Sequence, residues 1–461
     1  MSRERAAGPA GEATDGVSAA GTDTGGTDPG GTKTDSAKAG GSGWAVDRDV
    51  NLYWCGQTAS AFGSVFTAIA LPVVAVVHLN ASAGAIGLIS AAATAPILLF
   101  GFPAGALADR LVHPRRALIL LDLVCAVAVG VVALGLAAGA VSLLWLGLLC
   151  AVMGGASTLS TAVYFLHLRQ LVGPDGIGGA RARLQAGQYG AALVGRLLAG
   201  PAIAVLGAAA ALSVDVASYA LSAAALLTMR APDLVPRGPA PSVLTMLRGA
   251  MAGMRVFTGD AFHRALGVFI IVPAATLAGV TTLTGPFLLR VIHLPTAAYG
   301  SLFALSGLMG LAGSAVAGRV LTPGRNARRV MLGAFTAGMV CSMLLPLAAG
   351  PLPLAAFCAA MGIGLPIFFG AIANVAVSSV LVSDMSEETL GRAMAALQVC
   401  LAAAGLVGAL GCGVLGDWIG VRGALWTMGL IALAGIALSL PSALRAARRT
   451  ESAPEPAPAP V

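Results

Sequence analysis

Twelve apolar runs, each about 20 residues or longer, follow one another along this 461-residue chain. They lie near 53–78, 83–107, 117–139, 142–168, 184–205, 208–229, 263–292, 297–318, 328–349, 352–381, 391–416 and 421–444. That is the length at which a helix crosses a bilayer. Inside hydrocarbon each backbone N–H and C=O must find a partner within the chain, so a helix is the form such a run takes. Only 10% of the residues are charged, where soluble domains carry ~25%. The expected fold class is all-α integral membrane, with twelve transmembrane helices.

The remaining charges are placed unevenly. Of 27 Lys and Arg, five precede the first run, Arg196 lies inside a run, and the other 21 sit in loops or at helix ends. With a cytoplasmic N-terminus, only Arg290 and Arg422 of those 21 fall on the outer side. Cytoplasmic loops are enriched in Lys and Arg, so both termini are expected in the cytoplasm. The Arg-, Ala- and Gly-rich composition suggests a bacterial cell membrane. The same distribution makes the net charge of +7 a signal of topology, and no nucleic-acid partner is expected. All seven cysteines fall in apolar runs without a Cys-x-x-Cys pair. They read as small core residues, and no metal site is expected. No GxxxxGKS loop or HExxH motif occurs, so neither a cofactor nor an enzymatic activity is expected.

Residues 1–46 are rich in Gly, Thr, Ser and Asp. They hold too little apolar surface to offset the entropy of ordering, so a disordered cytoplasmic tail is expected. They lack the basic start and apolar core of a signal peptide. Residues 47–230 hold the first six runs, and 231–262 form a cytoplasmic linker opening on Pro232, Pro236, Pro239 and Pro241. Leu244, Leu247, Met251, Met254 and Phe257 then recur at three- and four-residue steps, the pattern of an amphipathic helix on the inner leaflet. Residues 263–449 hold the second six runs, and a disordered tail is expected over 450–461. The links at 79–82, 140–141 and 206–207 are short and uncharged, as expected outside, whereas loops at 108–116 and 169–183 carry arginines.

Between the second and third runs lies GFPAGALADRLVHPRR, residues 101–116. Shifted by 209 it recurs as GLAGSAVAGRVLTPGR, with Arg110 matched by Arg319 and Pro114 by Pro323, while Asp109 becomes Gly318. A second echo returns at a shift of 213, Leu184-Gln185 with Leu193-Val194-Gly195 becoming Leu397-Gln398 with Leu406-Val407-Gly408. Self-similarity on this scale marks a duplicated half. The stretch resembles the loop between helices 2 and 3 of the major facilitator superfamily, whose pattern is roughly G-x-x-x-D-R-x-G-R-R. Gly105, Asp109, Arg110, Arg115 and Arg116 match it, and the loop glycine is replaced near His113-Pro114. The resemblance implies two pseudo-symmetric six-helix halves and transport by alternating access. It also implies a conformational lock of Gly105, Asp109, Arg110, Arg116 and Arg319, holding the halves together on the cytoplasmic side when the carrier faces outward. Plain topology-setting charge is the other reading of these residues.

Arg196 and Asp215 are the deepest charges. A charge in hydrocarbon is costly and is usually paired. The two lie about eleven residues before and about eight residues after the turn at Gly207, at similar depth for a rise of 1.5 Å per residue. An intramembrane charge pair is expected, as a clamp between helices 5 and 6 or in substrate or proton coupling. RLLAGPAIAVLG followed by SVDVASYALSA resembles the enterobactin-exporter-like branch of the family, and LVGPDGIGGARARLQ and SDMSEETLGRAMAALQ fit it too. Gly200-Pro201 resembles the helix-5 signature of proton-driven exporters, which implies a kink and close helix contact there.

Asp122, near the inner surface, is a candidate for proton handling or for pairing with a nearby arginine. Gln185, Gln188 and Tyr189 stand at three- and four-residue steps. With Gln57 and Asn374 they are candidates to line a cavity or to bond neighbouring helices. His167 reads as an interfacial residue at a helix end, with a proton relay as the other reading. The resemblance implies proton-coupled efflux, and the sparsely charged inward set suits a small amphipathic compound, such as a siderophore, antibiotic or toxic metabolite. The expected partners are that solute, protons and the lipid bilayer, for a monomer. An uptake permease of the same fold and a non-transporting membrane sensor are the rivals.

Overall fold

The computed structural model describes residues 36–231, 233, 261–322, 326–384 and 387–451. The amphipathic helix expected over 244–257 lies outside them. Among the described residues every regular element is helical. In the first half, α1 is Ser36–Val73, α2 Ala83–Arg110 and α3 Pro114–Ala137. The element Leu143–Leu206 breaks at Gly173, whose φ of 72° lies outside the helical region, into α4 (Leu143–Gly173) and α5 (Gly176–Leu206). α6 is Ala208–Thr228. In the second half, α7 is Ala261–Pro286, α8 Thr296–Val320, α9 Ala327–Ser342 and α10 Leu352–Asp384. The last element, Glu387–Glu451, breaks at Gly420 (φ 78°) into α11 (387–419) and α12 (421–451).

Eleven stretches among the described residues are long and apolar enough to cross a membrane, and the last, Ala396–Arg445, has 50 residues. An unbroken helix of that length would span about 75 Å, more than twice the hydrocarbon core. The break at Gly420 makes it two crossings, and the total is twelve.

The duplication is written in the backbone as well. α1 and α7 each end in a π-wound turn, Val74–His78 and Phe287–Val291. In the first, Leu79 N–H donates to Val74 and Ala81 N–H to Ala75; in the second, Ile292 donates to Phe287 and Leu294 to Leu288. Asn80 and His293 follow with φ of 48° and 58°, and Gly207 and Gly420 with 84° and 78°. Each of these pairs is 213 residues apart, the offset of the Leu-Gln echo.

Large apolar side chains stand bare on the outside, Val205 at 81% and Leu438 at 84% exposure among them. In water each would cost about 25 cal/mol per Å² of apolar surface, and against acyl chains that cost vanishes. The chain is a multi-pass membrane protein.

Two expectations change. The loop expected over 169–183 is helical apart from the break at Gly173. Arg181 lies over the Phe165 ring and Arg183 over the Trp54 ring, so both charges are held within the helical segment. The tails are also shorter than expected: α1 begins at Ser36, inside 1–46, and α12 reaches Glu451. A formed helix adds one hydrogen bond for each further residue fixed, so it propagates past its apolar core.

Candidate functional site

The first half is built around α1. On one side α5 lies against it: a Cβ at Gly195 would stand 3.1 Å from the Phe62 carbonyl oxygen, and one at Gly187 would stand 2.6 Å from Thr58 Oγ1. On the other side α6 approaches, and a Cβ at Gly56 would meet Ala225 Cβ at 3.1 Å. Small residues on facing helices permit this approach in a membrane, where packing and hydrogen bonds drive association.

One face of α1 opens on a cavity of about 810 Å³, wholly within the first half. Gln57, Ser60, Ser64 and Thr67 line it at helical steps of three and four, and Ser157, Ser160, Thr161 and Tyr164 line it from α4. From α5 come Arg181, Leu184, Gln185 and Gln188, again one helix face. Tyr189, expected beside the two glutamines, is 56% exposed and outside the lining. Consecutive helix positions are about 100° apart, which turns it away from Gln188. Asn374 is exposed and belongs to neither described cavity lining. The hydroxyl stripes of α1 and α4 were not singled out from the sequence, although their spacing carried the signal.

Asp215 is fully buried beside this cavity. Its carboxylate accepts from Thr67 Oγ1, from Ser218 Oγ at 3.1 Å and from Ser64 Oγ at 3.4 Å. Ser64 also meets the Tyr219 hydroxyl at 3.1 Å. Arg196 is elsewhere: a Cβ at Gly307 of α8 would stand 2.6 Å from its Nη1, and it lines a second cavity in the other half. The expected Arg196–Asp215 pair is therefore not formed. α1 stands between α5 and α6, so the two side chains leave on opposite sides.

Asp122 of α3 reaches the first cavity, and its Oδ2 is buried without a hydrogen-bond partner. The arginine partner considered for it is absent among the described residues. The Tyr164 hydroxyl is likewise buried without a hydrogen-bond partner, while Ser222 pairs with Asp122 and Gln170 with His167 at the edge of bonding geometry. The Tyr53 ring ties this group together, 4.9 Å from the Tyr164 ring and 5.3 Å from the His167 ring. His167 is 1% exposed, so it is a core residue and not an interfacial one. Buried polar atoms are nearly always satisfied, and orphans beside a cavity mark a place where water, protons or solute can bind.

The loop between α2 and α3 binds its own half. Asp233 accepts the backbone N–H of Arg115 at 2.8 Å and of Arg116 at 3.3 Å, capping α3. Arg115 Nη1 donates to the carbonyl oxygens of Met229 at 2.7 Å and Ala231 at 3.2 Å. Asp49 of α1 accepts from Arg230 N–H at 2.9 Å and Ala231 N–H at 2.6 Å. Arg110, Arg116 and Arg319 are exposed, and the side chains of Gly105 and Asp109 lie outside the described residues. Among the described residues no lock between the halves forms here.

The halves meet instead at the end carrying the short loops. Arg290 donates from Nη1 to Ala81 O and from Nη2 to Val76 O, each at 2.6 Å. Ser82 Oγ donates to Asp417 Oδ2 at 3.1 Å. A Cβ at Gly200 would meet Ala297 O at 2.7 Å and Gly300 N at 3.0 Å, so α5 and α8 touch backbone to backbone. The helical backbone of α5 continues through Pro201. The close helix contact expected at Gly200 is thus present, at an approach that only glycine allows.

Two copies of one six-helix unit, closed on each other at one end, with a polar-lined cavity within the first, have the architecture of a membrane carrier. The chain belongs to the Major Facilitator Superfamily, whose family model matches residues 53–380. Among solved structures it resembles a mutant of the nucleoside transporter NupG, with a TM-score of 0.69 and 12% identity over 86% of this chain and 99% of that one. It also resembles a POT family transporter in complex with 5-aminolevulinic acid, with a TM-score of 0.66 and 11% identity over 86% of this chain and 96% of that one. A third is a bacterial homolog of the human lysosomal transporter Spinster, in an inward-facing and unoccupied conformation, with a TM-score of 0.60 and 15% identity over 88% of this chain and 98% of that one. At such identities these structures share the fold. No curated protein sequence matches the chain.

Proposed function

We propose that the protein is a proton-coupled exporter of a small amphipathic compound, of the enterobactin-exporter-like branch, in a bacterial cell membrane with both termini in the cytoplasm. The observation that carries this reading is Asp122, a carboxylate with an unpartnered buried oxygen on the wall of an 810 Å³ cavity of hydroxyls, amides and apolar side chains. A cavity of this size suits a drug-sized solute. The carboxylate supplies a site that can take up and release a proton as the solute is exchanged. The halves are closed at the short-loop end by Arg290 and the Gly200–Gly300 contact. Rocking them about the midplane then exposes the cavity alternately to either side. In the opposite, outward-facing state Asp109, Arg110, Arg116 and Arg319 hold the arginine-rich ends together.

Everted membrane vesicles with an imposed pH gradient test this reading. Addition of a transported compound is expected to discharge the gradient in vesicles carrying the wild type. Asp122→Asn, which keeps shape and polarity but cannot ionise, is expected to abolish the discharge while the protein remains in the membrane. Undiminished discharge by Asp122→Asn would overturn the proton role.

A further inference from the structure

Arg196 sits ten residues before the end of α5 at Leu206. That places it about 15 Å from the short-loop surface, at the middle of the hydrocarbon. A charge at that depth calls for compensation, yet among the described residues Arg196 forms no ion pair and donates no hydrogen bond to the protein. Its guanidinium crosses the boundary between the halves and lies over Gly307, where a Cβ would come within 2.6 Å of Nη1. Beyond Gly307 lies a cavity of about 250 Å³, lined by α7, α8, α9 and α10 of the second half and by Arg196 alone from the first.

The hydroxyls of that cavity face it in a particular way. Thr281 donates to Ala278 O, Thr284 to Val280 O, Ser306 to Phe303 O and Ser342 to Met339 O, each within its own helix. Their protons are therefore committed, and what they offer the cavity is acceptor lone pairs. The charged donors belong to Arg196, whose planar fork matches a carboxylate, and Thr276 lines the same cavity with a further hydroxyl.

We propose that this cavity is a binding site for a small organic anion, a carboxylate whose body also carries a hydrogen-bond donor. The anionic end lies on Arg196 and the donor faces the hydroxyl oxygens. Because the cation comes from one half and the cavity from the other, such a ligand bridges them and favours the conformation described here. This site is separate from the cavity beside Asp122, so the proposal goes beyond the export reading while resting on the chain being a carrier.

The test uses the purified full-length chain in lipid nanodiscs, with 3-hydroxybenzoate as the probe and 3-hydroxybenzyl alcohol as its neutral isostere. A ligand that binds only the folded state raises the thermal midpoint with concentration. The acid is expected to raise the midpoint and the alcohol to fail at the same concentration. Arg196→Gln is expected to weaken the acid about tenfold or more, the scale of a lost charge-assisted pair. Gly307→Ala, which displaces the guanidinium, is expected to weaken it as well, and covers the case in which Arg196→Gln does not fold. Equal shifts by acid and alcohol, no shift by the acid, or an unchanged shift in both variants would each overturn the site. Binding of the acid by a protein that moves no solute would leave this site standing and remove the export reading. Export of a neutral compound without any response to the acid would do the reverse.

Discussion

Arg290 Nη1 donates to the backbone oxygen of Ala81 at 2.6 Å, joining the second half of the molecule to the first across the short-loop end. Its other terminal nitrogen reaches Val76 O, so one guanidinium holds the π-wound end of α1 and the loop that follows it. Arg290 was one of two arginines that charge asymmetry placed on the outer side. The other, Arg422, donates to Ala348 O at 2.7 Å and lies over the Phe287 ring. Both arginines therefore satisfy backbone carbonyls at the short-loop end.

Replacing Arg290 by Gln removes both bonds. Hydrogen bonds to charged groups contribute about 1.5–3 kcal/mol each, so closure at the short-loop end should weaken by at least tenfold. In a Leu294→Cys background, where the native side chain is buried at that end, labelling by a membrane-impermeant maleimide is expected to accelerate accordingly. An unchanged labelling rate would remove Arg290 from the closure.

Gly300→Val introduces a side chain against the Arg196 carbonyl oxygen and the Gly200 backbone. Backbone cannot yield as a flexible side chain does, and overpacking of this kind costs about 1–3 kcal/mol. Transport is expected to fall with a lowered thermal midpoint, while Gly190→Ala, with nothing within 4 Å of the added carbon, should change neither. Wild-type transport by Gly300→Val would mean that the α5–α8 contact is dispensable.

Thr67→Val deprives the buried Asp215 carboxylate of a donor from α1. A loss of about 1–3 kcal/mol is expected, read from thermal unfolding in nanodiscs. Asp215→Ala in the Thr67→Val background should then cost less than in the wild type, because the two residues share one interaction.

Arg196 and Asp215 share no partner, so their effects should add. Arg196→Gln with Asp215→Asn is expected to equal the sum of the single changes within about 0.5 kcal/mol. A larger coupling energy would restore the ion pair that the packing of α1 precludes.

How much of this was legible in the sequence follows from what one-dimensional patterns encode. The twelve crossings were, because run length maps directly onto bilayer thickness, and the 213-residue offset reappears in the paired turns at Asn80 and His293. For Arg196 and Asp215 the azimuth was not legible. The side on which a residue leaves its helix depends on which neighbour packs there, and α1 falls between α5 and α6. Within the α2–α3 loop the pattern pointed to Arg116, whereas Arg115 is the arginine that bonds Met229 and Ala231. Asp49 and Asp233, which complete that knot, carry no local pattern, since their partners are backbone groups more than a hundred residues away.

The most direct test of the export account compares the small molecules inside and outside cells with and without this gene, alongside wild-type cells treated with an uncoupler. The expected result is a compound retained by the deletion strain and equally by uncoupled wild-type cells. A compound that instead fails to enter the deletion strain would contradict export, reverse the assigned direction and leave the fold as described.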